Sequence, residues 1–260
     1  MSDVNLMDTN VVRAAVRERY ATAATDGSCC GPAKASCCGD AAPADPTSGT
    51  VYYSGEELAG LAEEVATFSL GCGNPIAFAQ PQPGETVLDL GSGGGLDCFI
   101  AARHVGPQGH VIGVDMTPAM LARARDAAAR MDVGNVEFRQ GFIEDLPVAT
   151  DSVNLIISNC VINLSTDKDA VFREAFRVLK PGGRLVVSDM VTSGDLPDDV
   201  KRSLELWAGC IAGALPEGDY LAKMAAAGFE QVEPLARSSY GDGDESEGLY
   251  SLKVRAYKPT

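Results

Sequence analysis

The stretch Val87–Asp97, VLDLGSGGGLD, combines a short apolar strand, a glycine-rich turn and the first residues of a helix. Gly91, Gly93 and Gly95 let the backbone turn sharply and let a ligand approach the main chain closely. Asp115 ends the next apolar segment, where a carboxylate can accept hydrogen bonds from both hydroxyls of a ribose. The stretch therefore predicts a site for a nucleotide or nucleoside cofactor.

Strand and helix patterns alternate on both sides of this turn. Five apolar segments predict strands: Thr86–Leu90, His110–Asp115, Val136–Gln140, Val153–Asn159 and Gly183–Met190. Between them, three segments predict helices: Leu96–His104, Pro118–Met131 and Asp169–Leu179. This alternation indicates a mostly parallel sheet with crossover helices. VEPLARSSY and YSLKVRAYK, near the end of the chain, are expected to pair as the closing strands.

The flanking segments suggest three parts of the chain. Further helices are expected over residues 8–24, 54–68, 200–211 and 219–227. We expect residues 1–50 to form an N-terminal helix and a Cys-rich segment, residues 51–190 the cofactor-binding core, and residues 191–260 helices and closing strands that complete the substrate site.

Composition excludes several classes of protein. The 260 residues are 45% apolar and 22% charged, with a net charge of −15. Proteins that bind nucleic acids or anionic membranes need basic patches, so the acidic charge argues against both classes. No run approaches the roughly 20 apolar residues of a membrane span, and MSDVNLMDTN lacks the features of a signal peptide. We expect a cytoplasmic protein, monomeric, with reduced cysteines.

Several details distinguish the cofactor site from a dehydrogenase fingerprint. Leu96 stands where that fingerprint needs glycine, and Asp89 lies in the strand just before the turn. Together with GFIEDLP (141–147) and LKPGGRLVVSD (179–189), the turn resembles the S-adenosylmethionine loop of class I methyltransferases. That resemblance implies a Rossmann-like, seven-stranded, mostly parallel sheet with helices on both faces.

The same resemblance implies which residues bind the cofactor. They are Asp89, Gly91, Ser92, Gly93, Gly95, Asp115, Met116, Ile143, Glu144 and Asn159. Phe142 departs from the pattern, because many methyltransferases carry an acidic residue there for the adenine amino group. Ile143 and Glu144 are then expected to contribute more of the adenine contact.

The acceptor chemistry is suggested by cysteines. His104 and His110, the two histidines, are expected on the surface, so no histidine base is evident. Cys72 precedes the first strand, Cys160 follows the fourth, and Cys210 lies on an expected helix after the fifth. These three thiols could meet at the carboxyl ends of the strands. Thiolates select soft centres such as trivalent arsenic, which takes three sulfurs.

The contexts SLGCGNP, SNCVINL and LWAGCIAGAL, with the CC-rich segment and the methyltransferase core, resemble the arsenite methyltransferase family. The resemblance implies that Cys160 and Cys210 bind As(III) throughout and that Cys72 completes the site. It implies that an N-terminal cysteine, among Cys29, Cys30, Cys37 and Cys38, forms a disulfide with Cys72. Glutathione or thioredoxin would then reset the enzyme, and no metal cofactor is implied.

Two alternatives stay open at this point. A methyltransferase for a small organic acceptor would be indifferent to thiol blocking and to arsenite. A thiol-based metalloid-binding protein with a vestigial cofactor site would bind As(III) without forming S-adenosylhomocysteine. Cys98, between Asp97 and Phe99, is expected to be a core residue under any of these readings.

Overall fold

The computed structural model describes residues 8–26, 52–239 and 248–260. Its helices are α1 (Thr9–Asp26), α2 (Gly55–Leu58), α3 (Glu63–Ala66), α4 (Pro75–Ala79), α5 (Leu96–Val105), α6 (Pro118–Arg130), α7 (Lys168–Val178), α8 (Asp198–Lys201), α9 (Leu204–Ala208) and α10 (Glu217–Ala226). Its strands are β1 (Thr86–Leu90), β2 (His110–Asp115), β3 (Val136–Gln140), β4 (Val153–Asn159), β5 (Leu179–Thr192), β6 (Leu215–Pro216), β7 (Glu230–Ser239) and β8 (Leu249–Tyr257). A short 3₁₀ helix, Ile162–Leu164, follows β4.

All these strands belong to one open sheet. Its order is β3-β2-β1-β4-β5-β8-β7, and β6 pairs with the carboxyl end of β5. The five neighbouring strands β3, β2, β1, β4 and β5 are parallel, whereas β8 is antiparallel to both β5 and β7. Strand order reverses between β1 and β4, and such a switch point leaves a crevice at the carboxyl ends of the strands. The class I methyltransferase fold expected from the sequence is confirmed.

The sheet is covered on both faces because its central strands bury both sets of alternating side chains. In β4, Ile156 packs in one core with side chains of α7 and α10. Its neighbours Leu155 and Ile157 pack in the other core, with α4, α5 and α6. The two cores fix the sheet rigidly and leave its carboxyl edge available for a site.

Two expected helices are each broken into two shorter ones. The segment 54–68 forms α2 and α3, because Gly60 adopts a φ of 78° that a helix cannot accommodate. The segment 200–211 forms α8 and α9, because the Ser203 side chain accepts a hydrogen bond from Leu206 N and caps a new helix. Both predictions of a continuous helix are wrong.

The fifth strand and the strand count also differ from expectation. β5 begins at Leu179 and not at Gly183, and β6 was not foreseen, so the sheet has eight strands where seven were expected. No helix in the described ranges is long and apolar enough to cross a membrane. The division into parts at residues 50 and 190 stays a prediction, and most of the first part lies outside the described residues.

Candidate active site

A cavity opens at the switch point, at the carboxyl ends of β1, β2 and β4. Its walls include nine of the ten residues predicted to bind the cofactor: Asp89, Gly91, Ser92, Gly93, Asp115, Met116, Ile143, Glu144 and Asn159. The tenth, Gly95, does not line the cavity. It begins α5 with a φ of 90°, and a Cβ there would crowd the rings of Phe99 and Phe138. Gly95 therefore serves the close packing of helix and strand.

Asp115 is held rigidly at the end of β2. Its Oδ1 accepts a hydrogen bond from Thr117 N at 2.7 Å, and its Oδ2 accepts one from Gly93 N at 2.9 Å. The second bond joins the glycine turn to the carboxylate expected to bind the ribose. Burial raises the pKa of Asp115, although these two backbone donors favour its charged form.

The charge of the cavity fits a cationic cofactor. Four acidic residues line it, Asp89, Asp97, Asp115 and Glu144, whereas Arg13 is the one basic residue among its described lining residues. A pyrophosphate at the glycine turn would meet buried carboxylates and be repelled. S-adenosylmethionine carries a sulfonium and an ammonium group, and the lining suits both. Burial raises the pKa of Asp97 to about 6, and a bound cation would favour its charged form.

The end of the cavity that is predicted to contact adenine has an unexpected wall. Phe142 is 41% exposed, and the guanidinium of Arg13 lies 4.5 Å from its ring centroid. Arg13 also pairs with Glu144 at 3.3 Å, and Ser165 Oγ donates to Glu144 at 2.6 Å. Helix α1 thus supplies a cover for the segment Phe142–Glu144, which the sequence predicted as the adenine contact.

A side-chain network links the cavity to the loop that carries Cys72. Asn159 Oδ1 accepts from Cys72 N at 3.1 Å, and Asn159 Nδ2 donates to Gly73 O at 2.7 Å. Tyr53 Oη donates to Asp97 Oδ1 at 2.7 Å and accepts from Asn159 Nδ2 at 3.2 Å. A Cβ on Gly71 would collide with the Asn159 amide. The loop is therefore fitted closely around one amide group at the end of β4.

The three predicted thiol positions come together in one buried cluster beside this network. Cys72, Cys160 and Cys210 pack with Met190 and Ala214, and Leu164, Leu196 and Leu249 border them. Cys72 and Cys160 form a disulfide with a Cα–Cα distance of 5.8 Å, and Cys210 Sγ donates to Cys160 O at 3.0 Å. Three distant parts of the sequence thus bring their sulfur atoms together in one apolar cluster.

The disulfide differs from the expected pairing. Cys72 was expected to pair with an N-terminal cysteine, whereas the structure bonds it to Cys160. Cys29, Cys30, Cys37 and Cys38 lie outside the described residues, so their exchange with Cys72 stays a prediction. Cys98 is fully buried, as predicted, with its Sγ 3.3 Å from Asp89 Oδ2.

Two of the clustered cysteines adopt backbone conformations that L-residues rarely take. Cys160 has a φ of 58° and Cys210 a φ of 63°. Cys210 lies just after α9 and not within a helix, contrary to expectation. The left-handed conformation costs a non-glycine residue roughly 1–2 kcal/mol. Such strain concentrates at functional sites, where the side chain is needed despite its cost.

Cys210 lies in a buried environment that favours the protonated form of its thiol. Burial, together with the carboxylate of Asp189, raises the pKa of its thiol to about 12. Tyr20 of α1 places its hydroxyl 3.9 Å from Cys210 Sγ and also lines the cofactor cavity. Asp189 accepts from Tyr220 Oη at 3.2 Å, and burial raises its pKa to about 7.

Sequence reasoning missed four residues that complete the site. Arg13, Tyr20 and Tyr53 reach it from segments remote in sequence, and no local pattern marks them. Asp97 stands within the quoted glycine stretch, and its place two residues after Gly95 was the available signal.

Comparison with known proteins agrees with this geometry. A family model described as a methyltransferase domain matches residues 81–236. An arsenite methyltransferase of Halobacterium salinarum is 48% identical over 97% of this chain and 68% of its own length. The chain belongs to the arsenite methyltransferase family.

Further members of the family are similar over part of the chain. The human arsenite methyltransferase is 42% identical over 62% of this chain, a match that covers 44% of the human protein. The crystal structure of an arsenic(III) S-adenosylmethionine methyltransferase from Chlamydomonas reinhardtii is 39% identical. It superposes with a TM-score of 0.71 over 78% of this chain and 73% of that one.

The strain at Cys210 predicts an unusual order of stability. We expect Cys210→Gly to be more stable than Cys210→Ala by about 1 kcal/mol, because glycine alone adopts positive φ without cost. Urea unfolding under reducing conditions measures the difference. The matched control is Cys98 within α5, where Ala should be the more stable replacement by about 1 kcal/mol. An Ala variant at least as stable as Gly at position 210 would contradict the strain.

The network around Asn159 predicts an effect on cofactor affinity. We expect Tyr53→Phe to weaken S-adenosylhomocysteine binding by about tenfold, because buried Asp97 and partly buried Asn159 each lose a hydrogen-bond partner. Calorimetric titration measures the affinity. Tyr257→Phe is the control, since Tyr257 pairs with Arg184 at the opposite end of the sheet. Equal affinities in both variants would show that the network does not support the cavity.

Proposed function

We propose that this protein transfers the methyl group of S-adenosylmethionine to trivalent arsenic held by Cys72, Cys160 and Cys210. The observation that carries the proposal is the convergence of these three cysteines in one buried cluster next to the cofactor cavity. The family to which the chain belongs supports the same reaction. Arsenite is the expected substrate, followed by methylarsenite.

Once glutathione has reduced the Cys72–Cys160 disulfide, arsenite capture by the three thiols needs no general base. Each thiol replaces one hydroxyl of arsenous acid, and its proton leaves with that hydroxyl as water. A thiol such as Cys210, whose pKa is raised to about 12, can therefore bind arsenic at neutral pH. The apolar neighbours Met190, Leu164 and Leu249 keep water from competing for the arsenic.

The chain contributes to methyl transfer mainly by positioning. When bound, S-adenosylmethionine supplies an electrophilic methyl group on its sulfonium. Arsenic held by three thiolates keeps its lone pair, which is the nucleophile. Tyr20 lines the cofactor cavity and touches Cys210, so it spans the boundary between donor and acceptor. Holding two reactants at attack distance can supply roughly 7–11 kcal/mol of the barrier.

Methylation leaves arsenic pentavalent, and two electrons return it to the trivalent state. Two cysteine thiols supply these electrons when they form a disulfide. The disulfide of Cys72 with Cys160 in this structure supports a redox role for Cys72. We propose that Cys72 supplies the electrons by forming a disulfide with Cys37 or Cys38 while Cys160 and Cys210 keep the arsenic, and that glutathione or thioredoxin resets the site. We propose further that the protein acts as a cytoplasmic monomer and needs no metal cofactor.

Turnover tests the reaction directly. With S-adenosylmethionine, arsenite and glutathione, we expect S-adenosylhomocysteine release that stops without arsenite. In the double variant Cys160→Ser/Cys210→Ser, the rate of S-adenosylhomocysteine release should fall at least 100-fold, because arsenic loses two of its three ligands. Calorimetry should show that the double variant still binds S-adenosylhomocysteine. Release without arsenite would favour an organic acceptor, and arsenite binding without release would favour a sequestering protein.

The valence of arsenic predicts that the loss of Cys72 affects the rates with arsenite and with methylarsenite differently. Arsenite offers three positions to thiolates, whereas methylarsenite offers two because carbon already occupies one. We therefore expect Cys72→Ser to lower the rate with arsenite by at least tenfold and to leave the rate with methylarsenite within about threefold. Separate assays with each substrate, under a phosphine reductant, measure this split. Equal losses with both substrates would rule out Cys72 as a third ligand.

A further inference from the structure

Lys253 is a buried lysine behind the Cys72 loop. It lies in β8 and is 5% exposed, and burial lowers its pKa. Its Nζ donates to Ser238 Oγ and to Ser251 Oγ, each at 3.0 Å. Within the described part of the chain, no carboxylate oxygen forms an ion pair with it. A buried ammonium that contacts only hydroxyl groups is costly, and the proposed methyl transfer gives it no role.

Ser251 connects Lys253 to Cys72 by hydrogen bonds. An ammonium group can only donate, so Ser251 Oγ accepts from Lys253, and its own proton is free for another acceptor. Ser251 Oγ donates to Cys72 O at 3.1 Å and lies 3.9 Å from Cys72 Sγ. The positive charge of Lys253 thus directs a polarised hydroxyl proton toward Cys72.

The same lysine also confines the loop sterically. Lys253 faces Ser188 directly across the β5–β8 pair, and Gly73 lies against both. A Cβ on Gly73 would collide with Ser188 Oγ and come within 3.1 Å of Lys253 Cε. The residue after Cys72 is therefore fixed by the side chains of β5 and β8, while Asn159 holds the loop from the opposite side.

We propose that Lys253, acting through Ser251, is a positioning residue for Cys72. When the bond between Cys72 and Cys160 is open, the Ser251 hydroxyl turns its proton from Cys72 O to the released sulfur and holds it toward Cys160 and Cys210. Opening consumes two glutathione thiols and yields two cysteine thiols and one glutathione disulfide. This chain of contacts from Lys253 through Ser251 to Cys72, the Lys253–Ser251 relay, stabilises the reduced state. That the relay also helps Cys72 to bind arsenic rests on the proposed function.

The redox equilibrium tests the relay without arsenic. The full chain is equilibrated in glutathione buffers and alkylated, and the Cys72–Cys160 disulfide is quantified by mass spectrometry. We expect Lys253→Met, which keeps the aliphatic stem, and Ser251→Ala each to shift the equilibrium about tenfold toward the disulfide, the loss expected for one charge-assisted hydrogen bond. An unchanged equilibrium in Lys253→Met overturns the proposal.

Lys258→Met is the control for loss of a largely buried lysine, whose side chain is 12% exposed. Lys258 Nζ pairs with Asp151 and donates to Phe176 O and Leu179 O, away from the cysteines, so the glutathione equilibrium should not move. An equal shift in Lys258→Met would attribute the effect to general destabilisation and would also overturn the proposal.

A double-mutant cycle tests the consequence for arsenic. Trp207, the one tryptophan, packs against Ala208 and Ala212, which flank Cys210 in the chain, and reports sodium arsenite binding by fluorescence. We expect Lys253→Met to weaken binding about tenfold in the wild type and not at all in Cys72→Ser. Additive losses overturn the proposal. A wild type that binds no arsenite refutes the proposed function, while the glutathione equilibrium still decides the relay.

Discussion

The side-chain amide of Asn159 joins the two halves of the site. Its oxygen accepts from Cys72 N and its nitrogen donates to Gly73 O, so both polar ends of one partly buried amide are satisfied by a single loop. Asn159 ends β4, and Cys160 is the next residue in the chain. One strand end therefore places an amide that holds Cys72 and a thiol that meets it, immediately beside the cavity formed at the β1–β4 switch point.

The two halves have opposite chemical character. The cofactor cavity is rich in carboxylates that burial makes responsive to a bound cation. The thiol cluster is lined by Met190, Ala214 and leucines, which offer soft or apolar contacts and no competing hard ligand. In the proposed reaction, a cationic methyl donor and a neutral thiol-bound metalloid would occupy these neighbouring compartments. Tyr20 and Asn159 touch both, so they define where the two compartments meet.

The sequence predicted what depends on short-range pattern and failed where distant side chains decide. The bounds of β1 to β4 match the prediction because apolar strands beside glycine and proline signals are local features. The broken helices at Gly60 and Ser203 carried local signals too, but the apolar spacing outweighed them in the prediction. Arg13, Tyr20 and Tyr53 could not be predicted, because their roles arise only when α1 and the segment before α2 pack on the sheet.

The cysteines illustrate the same limit in a sharper form. Their sequence contexts indicated a shared site, and the parallel sheet explains why Cys160 points to its carboxyl edge. The strained φ angles of Cys160 and Cys210 follow from no sequence pattern, since both positions would suit glycine better. Cysteine at two such positions means that the fold gives up stability to aim sulfur inward. The rest of the cluster, from Asn159 on one side of the Cys72 loop to Ser251 on the other, then serves to bring the third sulfur to the same point.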